Sequence, residues 1–196
     1  MLPRQGALAA LTLVLALAAC GSDEEVQPPE VQRQAETVDD LPKLPRGFEP
    51  HISRINGLAL GRPPGWKATR KGVATFLIAP DKLVVMSLSA DRSDEALAGD
   101  PETLAVRTFG ALEGYEGVLD PSEPTPFKHE YDAYEVEGQG VSVKTGVRQN
   151  LRVIVLERAG ATVVTAVIAE NAKEKAPAEV RQALESLRTL RTRPVG

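Results

Sequence analysis

The 196-residue chain is poor in the residues that most often carry chemistry: one cysteine, two histidines, one tryptophan and 4% aromatics. A single cysteine excludes an intramolecular disulfide and any cysteine-cluster zinc or iron–sulfur site. Positive charge is in deficit, with 23 Lys+Arg against 27 Asp+Glu and a net charge of -4, so nothing electrostatic favours nucleic acid. A membrane-length apolar run is missing as well. The most apolar stretch, Ala7 to Ala19, is interrupted by Thr12; at 1.5 Å per residue it reaches about 20 Å, short of the ~30 Å hydrocarbon core. What remains is a 42% hydrophobic chain, long enough for one ordinary domain that buries about 65–70% of its unfolded surface.

The beginning of the chain is more specific. Arg4 supplies a positive start, the apolar run follows, and it closes on Leu17-Ala18-Ala19-Cys20, the layout of a secretory signal peptide. These four residues resemble the lipobox of bacterial lipoproteins. The resemblance implies cleavage before Cys20, a diacylglyceryl group on its sulfur and acylation of the new amino group. One acyl chain holds a protein only marginally at a bilayer, whereas two or more hold it durably. An ordinary secretory signal ending on a chance cysteine is the alternative; the chain's only cysteine standing at the motif position favours lipidation. The sequence therefore divides into a signal peptide over 1–19, a lipid-anchored tether over 20–50 and a folded domain over 51–196. The implied location is the outer side of the cell membrane or the outer membrane, with the membrane itself as a partner through Cys20.

Gly21 to Pro50 carries five prolines and eight acids against Arg33, Lys43 and Arg46. Such a composition cannot bury enough apolar surface to offset its ordering entropy, and it reads as a spacer with a random-coil reach of roughly 30 Å. The Pro42-Lys43-Leu44-Pro45 match to a proline docking motif is one match in a proline-rich segment, and the spacer reading needs less.

From His51 the pattern becomes that of an α+β domain. Strands are predicted over Leu58–Arg62, Trp66–Arg70, Val73–Ala79 and Leu83–Ala90, punctuated by Asn56-Gly57, Pro63-Pro64-Gly65 and Pro80-Asp81 turns. Asp100 and Pro101 open a helix with Leu104, Ala105, Thr108, Phe109 and Leu112 on one stripe, ended near Gly114. Strands follow near Val118 and Phe127, then over Tyr131–Glu137, Val147–Glu157 and Ala161–Ala169, the last two joined at Arg158-Ala159-Gly160. Glu135 and Glu137 share a face, as do Arg148 and Arg152, so pairing of these strands makes a charge ladder. A last helix opens at Pro177 with Val180, Ala183, Leu184, Leu187 and Leu190 facing the core, and Arg188, Arg191 and Arg193 suit the negative end of its dipole. The order predicts a curved antiparallel sheet covered by two helices, an α/β/α sandwich.

Leu58 to Trp66, with its Pro63-Pro64-Gly65-Trp66 ending, together with the closing Leu184-Glu185-Ser186-Leu187-Arg188, resembles the PsbP-like superfamily that includes LpqN-type lipoproteins. The resemblance covers about Gly57 to Arg191 and implies a three-layer domain that binds or assists other proteins, without a common catalytic set.

Catalytic patterns fail. Gly138 to Thr145 approaches a phosphate loop, but Val143 occupies the second glycine position and a strand, not a helix, follows. On a strand His129 points away from Glu130 and Asp132, so no triad or metal site is local. Trp66 reads as a core aromatic; a ligand groove of Trp66, Tyr115, Tyr131 and Tyr134 is the sharper alternative. The predicted function is a non-catalytic protein-binding or adaptor lipoprotein with no cofactor and no metal. A carrier of a small apolar ligand and an envelope hydrolase built on His129 stand as alternatives.

Overall fold

The structure, a computed structural model, describes residues 41–193 apart from Asp120. The segment expected to be a signal peptide, Cys20 and most of the expected tether lie outside the described residues. Among the described residues eleven strands form two antiparallel sheets, accompanied by three helices. The small sheet has the order β1-β2-β11, from Glu49–Ser53, Leu58–Arg62 and Arg191–Thr192. The large one has the order β3-β4-β5-β10-β9-β8-β6, built from Lys67–Lys71, Ala74–Ile78, Val84–Asp91, Thr162–Asn171, Arg148–Arg158, Asp132–Ser142 and Tyr115–Leu119; β7, Thr125–Pro126, pairs with β8. Among the described residues no barrel closes, and the antiparallel α+β arrangement predicted from the pattern is the one observed.

Alternate residues of the long strands sort to two cores, as a period of two requires. On one face Leu151, Val153 and Val155 of β9 meet Leu104, Ala105 and Phe109 of α2, Pro101–Gly110. On the other, Ile154 and Leu156 of β9 join Met86, Leu88, Val164, Ala166 and Ile168 under Ala183 and Leu187 of α3, Pro177–Arg188. The N-cap predicted for α2 is present: the Thr103 N–H donates to Asp100 Oδ1 at 2.8 Å, and Pro101 sits where its missing N–H costs nothing. A four-residue helix, α1 at Asp94–Leu97, is capped by Ser93 and was not predicted.

The residues that carry the superfamily resemblance turn out to be a structural lock. Gly61 donates its N–H to Thr189 Oγ1 at 2.7 Å and accepts at its carbonyl from Ser186 Oγ, so β2 and the end of α3 satisfy each other's buried polar groups. A Cβ on Gly61 would come within 2.9 Å of Leu44 Cδ2 and 3.3 Å of Phe48 Cδ1, so a larger residue there would have to displace the Leu44 side chain. The chain is thus packed on the domain at Leu44 and Phe48, and β1 starts at Glu49, ahead of the His51 at which the sequence pattern changes.

Two local expectations are corrected. Strand β8 runs on to Ser142 rather than stopping at Glu137, because pairing with β9 overrides the turn character of Gly138-Gln139-Gly140. The helix ends at Arg188; Arg191 lies in β11, paired with Ala59, and its guanidinium meets Glu130 at 2.9 Å while donating to the Leu190 carbonyl at 2.8 Å. Arg188 stands over the Phe127 ring, 5.7 Å from its centroid.

Candidate functional site

Helix α3 packs against β2, β5 and β10, and leaves part of β8 and β9 on its own side of the sheet uncovered. There the alternation that places Ile154 and Leu156 under the helix continues outward as Arg152, Asn150 and Arg148. Their cross-strand neighbours are Glu137, Gln139 and Val141 on β8, and Ile168 and Glu170 on β10. The result is a groove of about 610 Å³ with Ser122 and Val180 among its lining residues, within the usual size range of ligand sites.

The floor carries two polar clusters side by side. Arg152 forks between two acids, with Nη1 3.0 Å from Glu135 Oε2 and Nη2 2.5 Å from Glu137 Oε1. Gln139 donates to Asn150 Oδ1 at 3.1 Å, and Asn150 donates to Glu170 Oε2 at 3.0 Å. The other Glu170 oxygen accepts the Ala176 N–H at 2.7 Å, which fixes the chain one residue before α3. The predicted charge ladder therefore forms at Arg152, and there it is a two-acid fork. Arg148 is outside it: exposed, and without a hydrogen bond or ion pair to its guanidinium among the described residues. Lys173 lies next to this open end, since the Ala172 N–H donates to the Arg148 carbonyl at 3.1 Å.

The four aromatic candidates are not brought together. Trp66, 2% exposed, is in the α3-side core and donates its Nε1–H to Gln182 Oε1 at 3.0 Å. Tyr131 packs against the same core, and its hydroxyl accepts the Thr192 N–H. Tyr115 and Tyr134 pack against the α2-side core. Sheet alternation puts the two pairs on opposite faces, so they cannot line one groove. Burial raises the Tyr115 hydroxyl above the usual tyrosine range.

His129 does not assemble a catalytic group. Its Nδ1 accepts the Tyr131 N–H at 3.0 Å, its ring tilts against Tyr131, and no serine or aspartate among the described residues hydrogen-bonds to it. Burial, then the Arg191 charge, holds its pKa below the ordinary histidine value. Gly138 to Thr145 is the end of β8 and its turn into β9, with no helix terminus to cradle a phosphate. Among the described residues no group of His, Cys, Asp and Glu could hold a metal, and no helix is long and apolar enough to cross a membrane. The groove itself offers donors, acceptors and one open cation. It suits binding, and its polar floor does not suit an apolar cargo.

No family model matches the chain, and no curated protein is similar to it in sequence. Solved structures are similar in fold. A Bacteroides thetaiotaomicron protein shares 12% identity at a TM-score of 0.52; the alignment covers 76% of this chain and 49% of the other, so this chain spans about half that protein's length. The Ran-binding protein Mog1p of Saccharomyces cerevisiae shares 11% identity at a TM-score of 0.50, with 74% and 95% covered. LpqN of Mycobacterium tuberculosis, involved in cell envelope biogenesis, shares 17% identity over 79% of this chain and 83% of that one; at a TM-score of 0.38 this likeness carries no argument.

Proposed function

We propose that the chain is a membrane-anchored, extracytoplasmic lipoprotein whose domain is a non-catalytic protein-binding or adaptor module of the cell envelope, with the groove beside α3 as its recognition surface. The observation that carries the reading is the groove's polar floor: Arg152 is held by Glu135 and Glu137, and Asn150 by Gln139 and Glu170, while Arg148 is left to an outside partner. Preorganised polar groups of this kind recognise with little ordering cost. The fold adds modest support, since Mog1p, which shares it, is a Ran-binding protein. The anchor rests on the Leu17-Ala18-Ala19-Cys20 lipobox.

Two experiments test the two halves. Replacing Cys20 with alanine should abolish metabolic palmitate labelling; a labelled variant removes the anchor. Affinity capture from the host envelope with the wild-type chain should recover a discrete protein that Arg148→Glu loses. Equal recovery by both chains moves the recognition surface away from the groove.

A further inference from the structure

Between Glu49 and Asp81 the chain has no carboxylate, yet it carries Arg54, Arg62, Lys67, Arg70 and Lys71. In a protein of net charge -4 this is a marked local reversal of sign. Arg62 is paired with Glu49 at one end of β1 and β2; the others gather on strand β3 and on the turns at the opposite end. Strand β3 is an edge of the large sheet, and all its residues but Ala68 are exposed.

The two turns there are joined. The Asn56 side chain donates to the Val73 carbonyl at 3.4 Å and to Thr75 Oγ1 at 3.3 Å, while the Ser53 and Thr75 hydroxyls hydrogen-bond at 2.7 Å. This stitching sets Ile55 and Val73 on neighbouring turns. They are 48% and 67% exposed, and with Val106 and Val143 they make up the exposed large hydrophobics of the described residues. Arg92 reaches the same place, donating to the Asn56 carbonyl at 3.2 Å. Lysines on an edge strand are ordinarily explained as a guard against strand-to-strand aggregation. That explains Lys67 and Lys71. It does not explain two aliphatic side chains held out beside them by a buried hydrogen-bond network.

We infer that this tip, Ile55 and Val73 ringed by Arg70, Lys71 and Arg92, is a docking surface for an anionic lipid bilayer. Aliphatic side chains at turn tips enter the boundary between headgroups and acyl chains, and flanking cations meet the negative surface. The contact is separate from the acyl anchor and would orient the domain. The chain joins the domain at the far end of β1, a strand about 17 Å long. The part of the expected spacer ahead of the packed segment, Gly21 to Asp40, would reach roughly 25 Å as a random coil, enough to let the tip down to the surface.

The test uses residues 21–196, which contain the whole compact unit Thr37–Gly196 and lack Cys20, so it is independent of the lipidation reading. Co-sedimentation with phosphatidylcholine vesicles containing phosphatidylglycerol should exceed that with phosphatidylcholine alone. Each cation near such a surface contributes about fivefold in partitioning, so Arg70→Gln with Lys71→Gln should weaken binding about 25-fold. Ile55→Ser with Val73→Ser should weaken it a few-fold, with thermal melts unchanged, and Val106→Ser should leave it as it was. Equal binding to both vesicle types, or by the wild type and the charge variant, overturns the proposal. So does the finding that a peptide of residues 22–40 shifts the β3 amide resonances while vesicles do not, which would make an acidic polypeptide the occupant.

Discussion

The two faces of the large sheet are written by alternate residues of the same strands, yet they end differently. On the α2 side, β9 contributes Leu151, Val153 and Val155 to one apolar core. On the α3 side the same strand begins with Leu156 and Ile154 under the helix and then turns polar, through Arg152 and Asn150 to Arg148. The difference teaches where selection for folding stops. An apolar residue beyond the reach of α3 would be exposed on a sheet face, whereas a polar one there is free to serve recognition. The polar half is not simply solvated, because Arg152 and Glu170 are each held by two partners.

The largest effects should come from the two cores. Leu187→Ala on the α3 side and Phe109→Ala on the α2 side should each cost about 3–5 kcal/mol in urea denaturation. A much smaller cost for Leu187→Ala would mean that α3 is loosely docked and that the faces are not equivalent cores. Next comes the fork. Arg152→Ala leaves Glu135, whose side chain is 19% exposed, without its cation and should cost about 1–3 kcal/mol. Arg148→Ala should stay within about 0.5 kcal/mol of wild type. If the two arginines behave alike, the distinction between the structural and the open end of the groove fails.

A smaller effect follows from pH. Burial first, and then Arg62 beside His51 and Arg191 beside His129, hold both histidines below their usual value. As pH falls from about 6.5 the unfolded chain takes up these protons before the folded one, so stability is lost toward acid. Melting temperature should be higher at about pH 7.5 than at about pH 5.5, and replacing both histidines with glutamine should narrow the gap. An unchanged gap would assign the acid sensitivity to other groups.

Much of the fold was legible because its signals are local. Asp100-Pro101 marks the start of α2, Pro177 that of α3, and the Arg158-Ala159-Gly160 connection places Ala159 and Gly160 at positive φ in a tight hairpin. The alternation of Glu135, Glu137 and Arg152 foretold their pairing. What failed was set by distant partners. The predicted strand stops at Glu137, ahead of Gly138 and Gly140, yet β8 continues through them, and at Gly140 a Cβ would come within 2.9 Å of Leu151 Cδ1 and 3.3 Å of Tyr115 Cδ1. Strand β1 begins at Glu49, inside the segment whose prolines and acids suggest a spacer up to Pro50, and it forms because β2 is there to pair with it. The groove was invisible for the same reason. Of its residues Glu137, Arg148 and Arg152 are legible as a charge ladder, but its existence depends on where α3 stops covering the sheet, and no spacing encodes that.

The central claim is that the uncovered polar end of the α3-side face is the recognition surface. Site-specific photocrosslinking tests it most directly, with a photoreactive residue at Gln139 in the groove and, separately, at Val106 on exposed α2, in cells of the host. The account predicts a discrete protein adduct from Gln139 that Arg148→Glu removes, and none from Val106. An adduct from Val106 with none from Gln139 would contradict it.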